Sequence, residues 1–449
     1  MAELPLEGIR VLDASNTYAG PTCGRVLADL GAEVIHVEGI QRWETVRLAI
    51  MPENEAPEPY WNVGAYFQKR NLGKKDITLN LTRPAGVATF KRVAARCDVM
   101  LESFSPRVMR GFGLDHESIR AVRPDVIYCS LSGYGQSGPY RDWTAYGMGL
   151  EPASGIAQLT GYTGDGPLRS GVSLTDPLSG LAAAVAVLMA LYHRRRTGEG
   201  QYIDLSEQEA AIPLVAGALL DQQMNGRAPV RRGNRSWFAA PQGVYPCAGD
   251  DEWVAITCHN DAEWERLCQA AGHPEWSTDE RFADLLARHA NHDALDEVIG
   301  GWTRQRGKIE AMEQLQVHGV CAGAVLHPKD LLLNPHLRAR GMFDLIDHPD
   351  AGRHPFPRQL PVRFSKMEPK AQGHAPRLGE HNDEVLSTLG GLSAEEIAAL
   401  RVEKIIGEQP EPAVPLEFVR ETVTWPLDVL MEIGAIKQVD ADYREQLGL

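Results

Sequence analysis

Strand, helix and strand follow one another directly at the start of this sequence. Residues 9–13 (IRVLD) are a β-branched run, residues 20–30 have the pattern of a helix, and residues 33–38 (EVIHVE) form a second β-branched run. That order predicts a βαβ unit, and with it a parallel sheet whose ligand site lies near the carboxyl ends of its strands. The alternation continues. Residues 77–81 (ITLNL), 98–102 (DVMLE), 126–131 (VIYCSL) and 201–205 read as strands, residues 84–95 and 116–122 as helices, and a long apolar helix precedes the last strand. Residues 171–174 have the look of one further short strand.

After about residue 210 the pattern changes. Ser206 and Glu209 form a capping box for a helix, and a loop rich in arginine follows (RAPVRRGNRS, with Arg227, Arg231, Arg232 and Arg235), read as a solvated linker face. Residues 243–247 and 253–258 then read as a hairpin followed by helices. The expected organisation is α/β. Residues 1 to about 210 read as one α/β unit with a parallel sheet, and residues 225–328 as a smaller α+β domain. Residues 407–449 supply a Pro-rich linker and a helical extension packing on a neighbour.

Charge narrows the partners. Lys and Arg total 45 against 60 Asp and Glu, a formal net charge of −15. No nucleic-acid partner is expected, because phosphate recognition needs clustered positive charge. The start carries no basic segment followed by an apolar one, and the longest apolar run, residues 181–192, is short for a bilayer span. A cytoplasmic protein without membrane contact is the expectation. The 7 cysteines are scattered with no C-x-x-C pair, and His289 and His292 lack a second ligand pair, so neither disulfide framework nor metal site is indicated.

The familiar cofactor and nucleophile motifs fail on inspection. The first turn, SNTYAGPTCG, is not G-x-G-x-x-G, which removes the dinucleotide fingerprint of an NAD-dependent dehydrogenase. Gly133, Gly135 and Gly138 do have that spacing, but no amphipathic helix follows to receive a pyrophosphate, so the segment reads as a glycine-rich loop. No G-x-S-x-G and no Walker A segment is present. What stands out instead is Asp176, at the mouth of the long apolar helix and followed by Pro177. Locally it is a helix cap or a chemical carboxylate, and the local sequence does not separate the two.

Taken in order, the phrases RVLDASNTYAGPTCGRVLADLGAEVIHVE, KRNLGKKDITLNL, DVMLESFSPRVMRGFGLD, RPDVIYCSLSGYGQSGPY, GPLRSGVSLTDPLSGLAAAVAVLMALYHRRRTGEGQYIDLS and PRLGEHNDEVL resemble the family III CoA-transferases, which include formyl-CoA and carnitine CoA-transferases. The resemblance runs from about Leu6 to Leu389. It implies a large Rossmann-like domain of residues 1–224 completed by the returning residues 329–406, a smaller domain of residues 225–328, and an interlocked dimer, a homodimer or a heteromer. The activity it implies is reversible transfer of coenzyme A from an acyl-CoA donor to a free carboxylic acid, through aspartyl anhydride and aspartyl-CoA thioester intermediates. CoA would be a substrate, and no permanently bound cofactor or metal is expected.

The family's catalytic aspartate falls on Asp176. CoA binding would involve Asn16, Thr17, Tyr18 and Ala19 in the first βα turn, Asn71, Lys74 and Lys75, and Phe104 and Arg110, with Tyr146 in the substrate pocket. Trp43, Trp61 and Trp237 are candidate apolar walls or simply core. The chain departs from the pattern at Tyr18, where formyl-CoA transferase has Gln, at Ser103, where Asn is usual, in the placing of Arg110, and at Gly147, where an acidic residue is usual. Two other readings stay open: an acyl-CoA racemase or epimerase, whose His-Asp pair is replaced here by Tyr146-Gly147, and a CoA-binding subunit without catalysis.

Overall fold

The computed structural model describes residues 4–449. They divide into two units, one made of the chain through Ile156 with Arg169–Leu219 and Pro335–Leu449, the other of Ala157–Leu168 with Leu220–Asn334. The strands of the first unit are β1 (Arg10–Ala14), β2 (Glu33–Glu38), β3 (Lys75–Thr78), β4 (Val99–Glu102), β5 (Ile127–Ser132) and β6 (Gln201–Ser206). They form a 6-stranded sheet in the order β3-β2-β1-β4-β5-β6, parallel at every pairing. This is the doubly wound order, and its direction reverses between β1 and β4, where such sheets hold ligands.

The helices of this part of the chain are α1 (Ala19–Asp29), α2 (Ala65–Asn71), α3 (Pro84–Ala94), α4 (Pro106–Phe112), α5 (His116–Arg120), α6 (Gly147–Ala153), α7 (Ile156–Leu159), α8 (Thr175–Thr197), α9 (Glu207–Ala211) and α10 (Ala216–Asn225). Successive strand residues face opposite sides of the sheet. Leu12, Ile35, Met100 and Tyr128 pack with Phe90 of α3 and with Val385, Leu386 and Ile405 from the returning chain. Val11, Val34, Val99 and Ile127 pack with Val26 and Leu27 of α1 and Ala183 and Val187 of α8. The inner strands β1, β2, β4 and β5 are covered on both faces, which accounts for their continuous buried runs instead of alternation, while the edge strand β6 is largely exposed. The return is sewn to β3 by one backbone bond and one to a side chain: His381 N donates to Asp76 O (2.9 Å), and Thr78 N donates to the Asn382 side-chain Oδ1 (2.9 Å).

The second unit carries an antiparallel 3-stranded sheet of β7 (Gln242–Pro246), β8 (Trp253–Thr257) and β9 (Cys321–Ala324). Against it lie α11 (Asp261–Ala271), α12 (Leu285–Ala290), α13 (His292–Thr303) and α14 (Lys308–Val317), around a core that includes Trp264, Phe282, Leu295 and Trp302. The hairpin stands where the sequence pattern put it, and β9 is an addition. The loop arginines are engaged with their own unit: Arg227 with Asp221 (2.6 Å), Arg231 with the carbonyl of Asp165 (2.8 Å), Arg232 over the Trp237 ring, and Arg235 with Asp293 (2.6 Å).

Three expectations are corrected. Residues 171–174 are not a strand but a loop, in which Gly171 has φ +80° and Val172 faces solvent; among the described residues no strand pairs with them. The third strand covers Lys75–Thr78, and its sequence run 79–81 leads away from the ladder. The C-terminal tail docks on its own chain: Val419 is buried among Met51, Ala56, Tyr60 and Val63, and the Tyr60 hydroxyl donates to Val414 O (2.6 Å).

α8 is the one helix among the described residues long and apolar enough, by length and composition, to cross a membrane. Its Ala183, Ala184, Val187 and Ala190 are packed in the sheet core, while Leu181, Val185, Met189 and Tyr192 form an outward stripe.

Below the first crossover lies a buried ion pair. Lys74 Nζ donates to Asp13 Oδ2 (2.7 Å) and to the carbonyl of Pro21 (3.1 Å), with both side chains closed to solvent. Lys75, by contrast, bridges Glu33 (2.7 Å) and Glu384 (2.6 Å) at the amino edge of the sheet, partly in water. Lys74→Met is therefore expected to destabilise the protein by about 3–5 kcal/mol, because Asp13 is left charged and unpaired in the interior. Lys75→Met should cost no more than about 1 kcal/mol. Urea unfolding of the two variants checks the contrast.

Candidate active site

The carboxyl ends of β1, β2 and β3, with the segment after β4, frame a cleft of about 470 Å³. Asn16 and Thr17 line it from the first turn, Gly39, Arg42 and Trp43 from the segment after β2, Phe104 and Val108 from the segment after β4, and Tyr146 from the loop before α6. The first turn is tightly built. Asn16 N donates to Ser103 Oγ (3.1 Å), bridging the switch point, and Thr17 holds φ +68°, a conformation that costs a non-glycine residue energy. Gly20 is required there, since a Cβ would stand 2.1 Å from Ser15 Cβ.

Asp176 lies in the first turn of α8, not ahead of it. The helix begins at Thr175 with Leu174 as its flanking residue, and no side chain caps it. The capping reading is thereby corrected: Asp176 makes no cap bond, and Pro177 sits within the first turn, where no backbone N–H is needed. The carboxylate is instead pressed against the start of α6. A Cβ on Gly147 would lie 2.4 Å from Asp176 Oδ1 and 2.7 Å from its Cγ, so only glycine permits this approach. Gly180, one turn further along α8, allows equally close packing on α1, where a Cβ would meet the carbonyl of Ala19 at 2.4 Å.

Three groups act on the Asp176 carboxyl. Burial raises its pKa, while a hydrogen bond from Glu207, the charge of Arg70 and a hydrogen bond from Thr175 work the other way, leaving a net upward shift. Glu207, the first residue of α9, is the partner carboxyl. Burial, then the neighbouring Asp176 charge, push it up to about 8. Arg70 sits over the rings of Tyr66 (3.3 Å) and Tyr18 (3.6 Å), which tie it to the first turn.

The residues implied for CoA fall into two sets. Asn16, Thr17 and Phe104 line the cleft together with Tyr146, the residue immediately before Gly147. Tyr18 stacks on Arg70, and Ala19 is covered by α8. Asn71 is buried and donates to Phe67 O (3.1 Å). Lys74 and Lys75 are engaged with carboxylates, as described above, and Arg110 projects into solvent 3.9 Å from Asp115, outside the cleft lining. Trp43 lines the cleft, Trp61 packs beside Tyr60, and Trp237 is exposed in the second unit.

Sequence reasoning passed over Arg42, an exposed guanidinium at the cleft, and Glu207. A basic residue just past the end of β2 was a signal for the first. No local signal marks Glu207, because its meaning comes from Asp176. The glycine-rich loop is as read from sequence: Gly135 and Gly138 have positive φ, and no helix follows directly.

The sheet is doubly wound with an open cleft at its switch point and no dinucleotide loop; Asp176 is not itself in the cleft lining but lies against Gly147, which follows the lining residue Tyr146. The sequence matches the description of CoA-transferase family III over residues 6–382. It is 35% identical to a succinyl-CoA–D-citramalate CoA-transferase of Chloroflexus aurantiacus, over 90% of this chain and 98% of that one. It is 32% identical to a succinate–glutarate CoA-transferase of Agrobacterium fabrum, over 86% and 96% of the two chains. The crystal structure of a CAIB/BAIF family protein from Brucella suis superposes with TM-score 0.75 at 32% identity, covering 90% of this chain and all of that one. The chain belongs to CoA-transferase family III and is an enzyme of that class.

Gly147→Ala tests the close approach. The added methyl must displace the Asp176 carboxylate, and a fall in CoA transfer of about 10²-fold or more is the outcome that would mark this position as part of the reaction. The melting temperature should stay near that of the unaltered protein. An alanine variant with full activity would show that the carboxylate position is not critical.

Proposed function

We propose that the protein moves coenzyme A from a dicarboxylic acyl-CoA to a second free carboxylic acid, with Asp176 as the nucleophile. The observation that carries this reading is the Asp176 carboxylate held against Gly147, next to Tyr146 at the wall of the switch-point cleft. Succinyl, glutarate and citramalate groups in the names of the relatives support a dicarboxylic substrate class. CoA would lie along the cleft over Asn16, Thr17 and Phe104, with Arg42 the guanidinium at hand for a phosphate or a substrate carboxylate.

In this scheme an Asp176 oxygen attacks the thioester carbonyl, the C–S bond breaks and CoA thiolate leaves a mixed anhydride. The thiolate then attacks the Asp176 Cγ and expels the donor as a free carboxylate, giving an aspartyl-CoA thioester. The acceptor carboxylate attacks that Cγ and releases thiolate with a second anhydride. Attack of the thiolate on the acceptor's carbonyl yields the new acyl-CoA and restores Asp176. Covalent catalysis thus divides one exchange into steps with lower barriers. A racemase would need two proton-transfer groups on opposite faces of the α-carbon, and Gly147 offers no side chain for one of them.

The same reading includes a second copy of the chain. The outward stripe of α8, Leu181, Val185, Met189 and Tyr192, is a large apolar surface for an isolated protomer. The double change Val185→Glu with Met189→Glu should convert a dimer to monomers in sedimentation; monomers in the unaltered protein would remove this part of the proposal.

Asp176→Ala and Asp176→Asn should each lower turnover by about 10⁴-fold or more. The folded state should be little changed, since no cap bond is lost. Incubation with succinyl-CoA and hydroxylamine should add a hydroxamate to Asp176 of the unaltered protein alone, read by peptide mass. Full turnover in Asp176→Asn would overturn the proposal.

A further inference from the structure

We infer that Glu207 is a further catalytic residue: its carboxylic O–H donates to the Asp176 oxygen that becomes the oxyanion whenever the acylated aspartate is attacked. The inference rests on the reading of Asp176 as the nucleophile and adds a second residue to it.

The backbone aims Glu207 with little freedom. β6 ends at Ser206, whose hydroxyl accepts from Glu209 N (3.3 Å) and fixes the first turn of α9. Gln208 N donates to Gly133 O (3.0 Å) at the end of β5, and Gln208 Nε2 donates to Ala153 O (2.8 Å) at the end of α6. Between these anchors, where α9 packs on α8, the Glu207 side chain meets Asp176, and its Oε2 is buried with no donor from the described residues, so a charge on that carboxyl would go unsatisfied.

Two carboxyls joined by a hydrogen bond hold one proton between them, and the surroundings decide which keeps it. Asp176 has the Arg70 charge and the Thr175 hydroxyl on its side. Glu207 has only Asp176. The other acidic groups on the packed elements are turned elsewhere: Glu151 of α6 accepts from Ser170 N (2.6 Å) and Oγ (2.9 Å), and Asp204 of β6 accepts from Gln136 N (2.8 Å). Tyr66 and Arg70 of α2 face Asp176. The proton therefore stays with Glu207, whose carboxyl is pushed up to about 8 by burial first and the Asp176 charge second.

The O–H then has a defined task. In the free enzyme it orients one Asp176 oxygen and leaves the other to attack the thioester. Once Asp176 is acylated, attack at its Cγ by thiolate or by the acceptor carboxylate moves the C=O electron pair onto oxygen. Collapse expels the carboxylate or thiolate and restores the carbonyl. The hydrogen bond from Glu207 strengthens as that charge develops, which lowers the barrier. Glu207 keeps its proton throughout, so each step exchanges one substituent on Cγ for another with no net proton transfer.

Kinetics of Glu207 variants with succinyl-CoA and a dicarboxylic acceptor test this. Glu207→Leu should lower kcat by about 10²–10³-fold with little change in KM, the loss expected for one oxyanion donor. Glu207→Gln keeps a donor that does not ionise, so it should recover much of that kcat. In the unaltered enzyme kcat should fall as pH rises through about 8, because the ionised form no longer donates and repels the oxyanion. In Glu207→Gln that alkaline limb should disappear. Unchanged kcat in Glu207→Leu, or an alkaline limb retained in Glu207→Gln, would overturn the inference while leaving Asp176 as the nucleophile. Absence of the hydroxylamine adduct on Asp176 in the unaltered enzyme would overturn both.

Discussion

The ion pair between Asp13 and Lys74 holds together the part of the molecule on which the site depends. Asp13 is the penultimate residue of a strand at the centre of the sheet, accepts from Ser15 N (3.1 Å) and is also bonded by the Ser15 hydroxyl. Lys74, just ahead of β3, reaches across to it and to the carbonyl of Pro21 in α1. Three elements meet at one pair of buried charges. Such a pair gains little net stability over an apolar contact, but it tolerates few arrangements, because a shifted partner leaves a bare charge in the interior. Gly24 shows how tightly α1 is drawn over it: a Cβ there would lie 2.4 Å from Asp13 Oδ2 and 2.8 Å from Lys74 Nζ. The turn that leaves β1 is fixed by the same contacts, and with it the position of Asn16 and Thr17 at the cleft.

From that turn the order passes to the carboxylate. Tyr18 and Tyr66 share the Arg70 guanidinium, and Arg70 supplies positive charge to Asp176. On the other side Gly180 lets α8 settle on α1, and Gly147 lets α6 close on the carboxylate. Glycines at these places are contact surfaces, since each removes a methyl that would push two backbones apart. The tail adds a third support. It packs on residues 51–63, the continuation of the segment whose Trp43, Glu44 and Thr45 line the cleft.

Much of the sheet was legible in the sequence because its inner strands are buried on both faces and so read as short β-branched, largely apolar runs between helices. Residues 171–174 misled for the same reason: a β-branched residue among small ones looks like a strand, yet a strand exists only where a neighbour offers hydrogen bonds. Asp176 was legible as a position and not as an environment. Asp-Pro before an apolar helix has the form of a cap, and only the helix start at Thr175 shows that the carboxylate is free of that duty. Lys74 and Lys75 were misleading in another way. Adjacent lysines beside a strand suit phosphate chemistry, but one turned inward to Asp13 and the other outward to Glu33 and Glu384.

The sequence by itself determined the βαβ alternation, the absence of a dinucleotide loop and, through an ordered set of phrases, the family. These are properties of local pattern and order along the chain, and both are written in one dimension. The tertiary structure alone decided which charges pair, which glycines are contacts and which carboxyl stands beside Asp176. Glu207 lies 31 residues beyond Asp176 in the chain, with a long helix and a strand between them. Its proton is set by burial and by a neighbouring charge, quantities that exist only once the chain has closed around them.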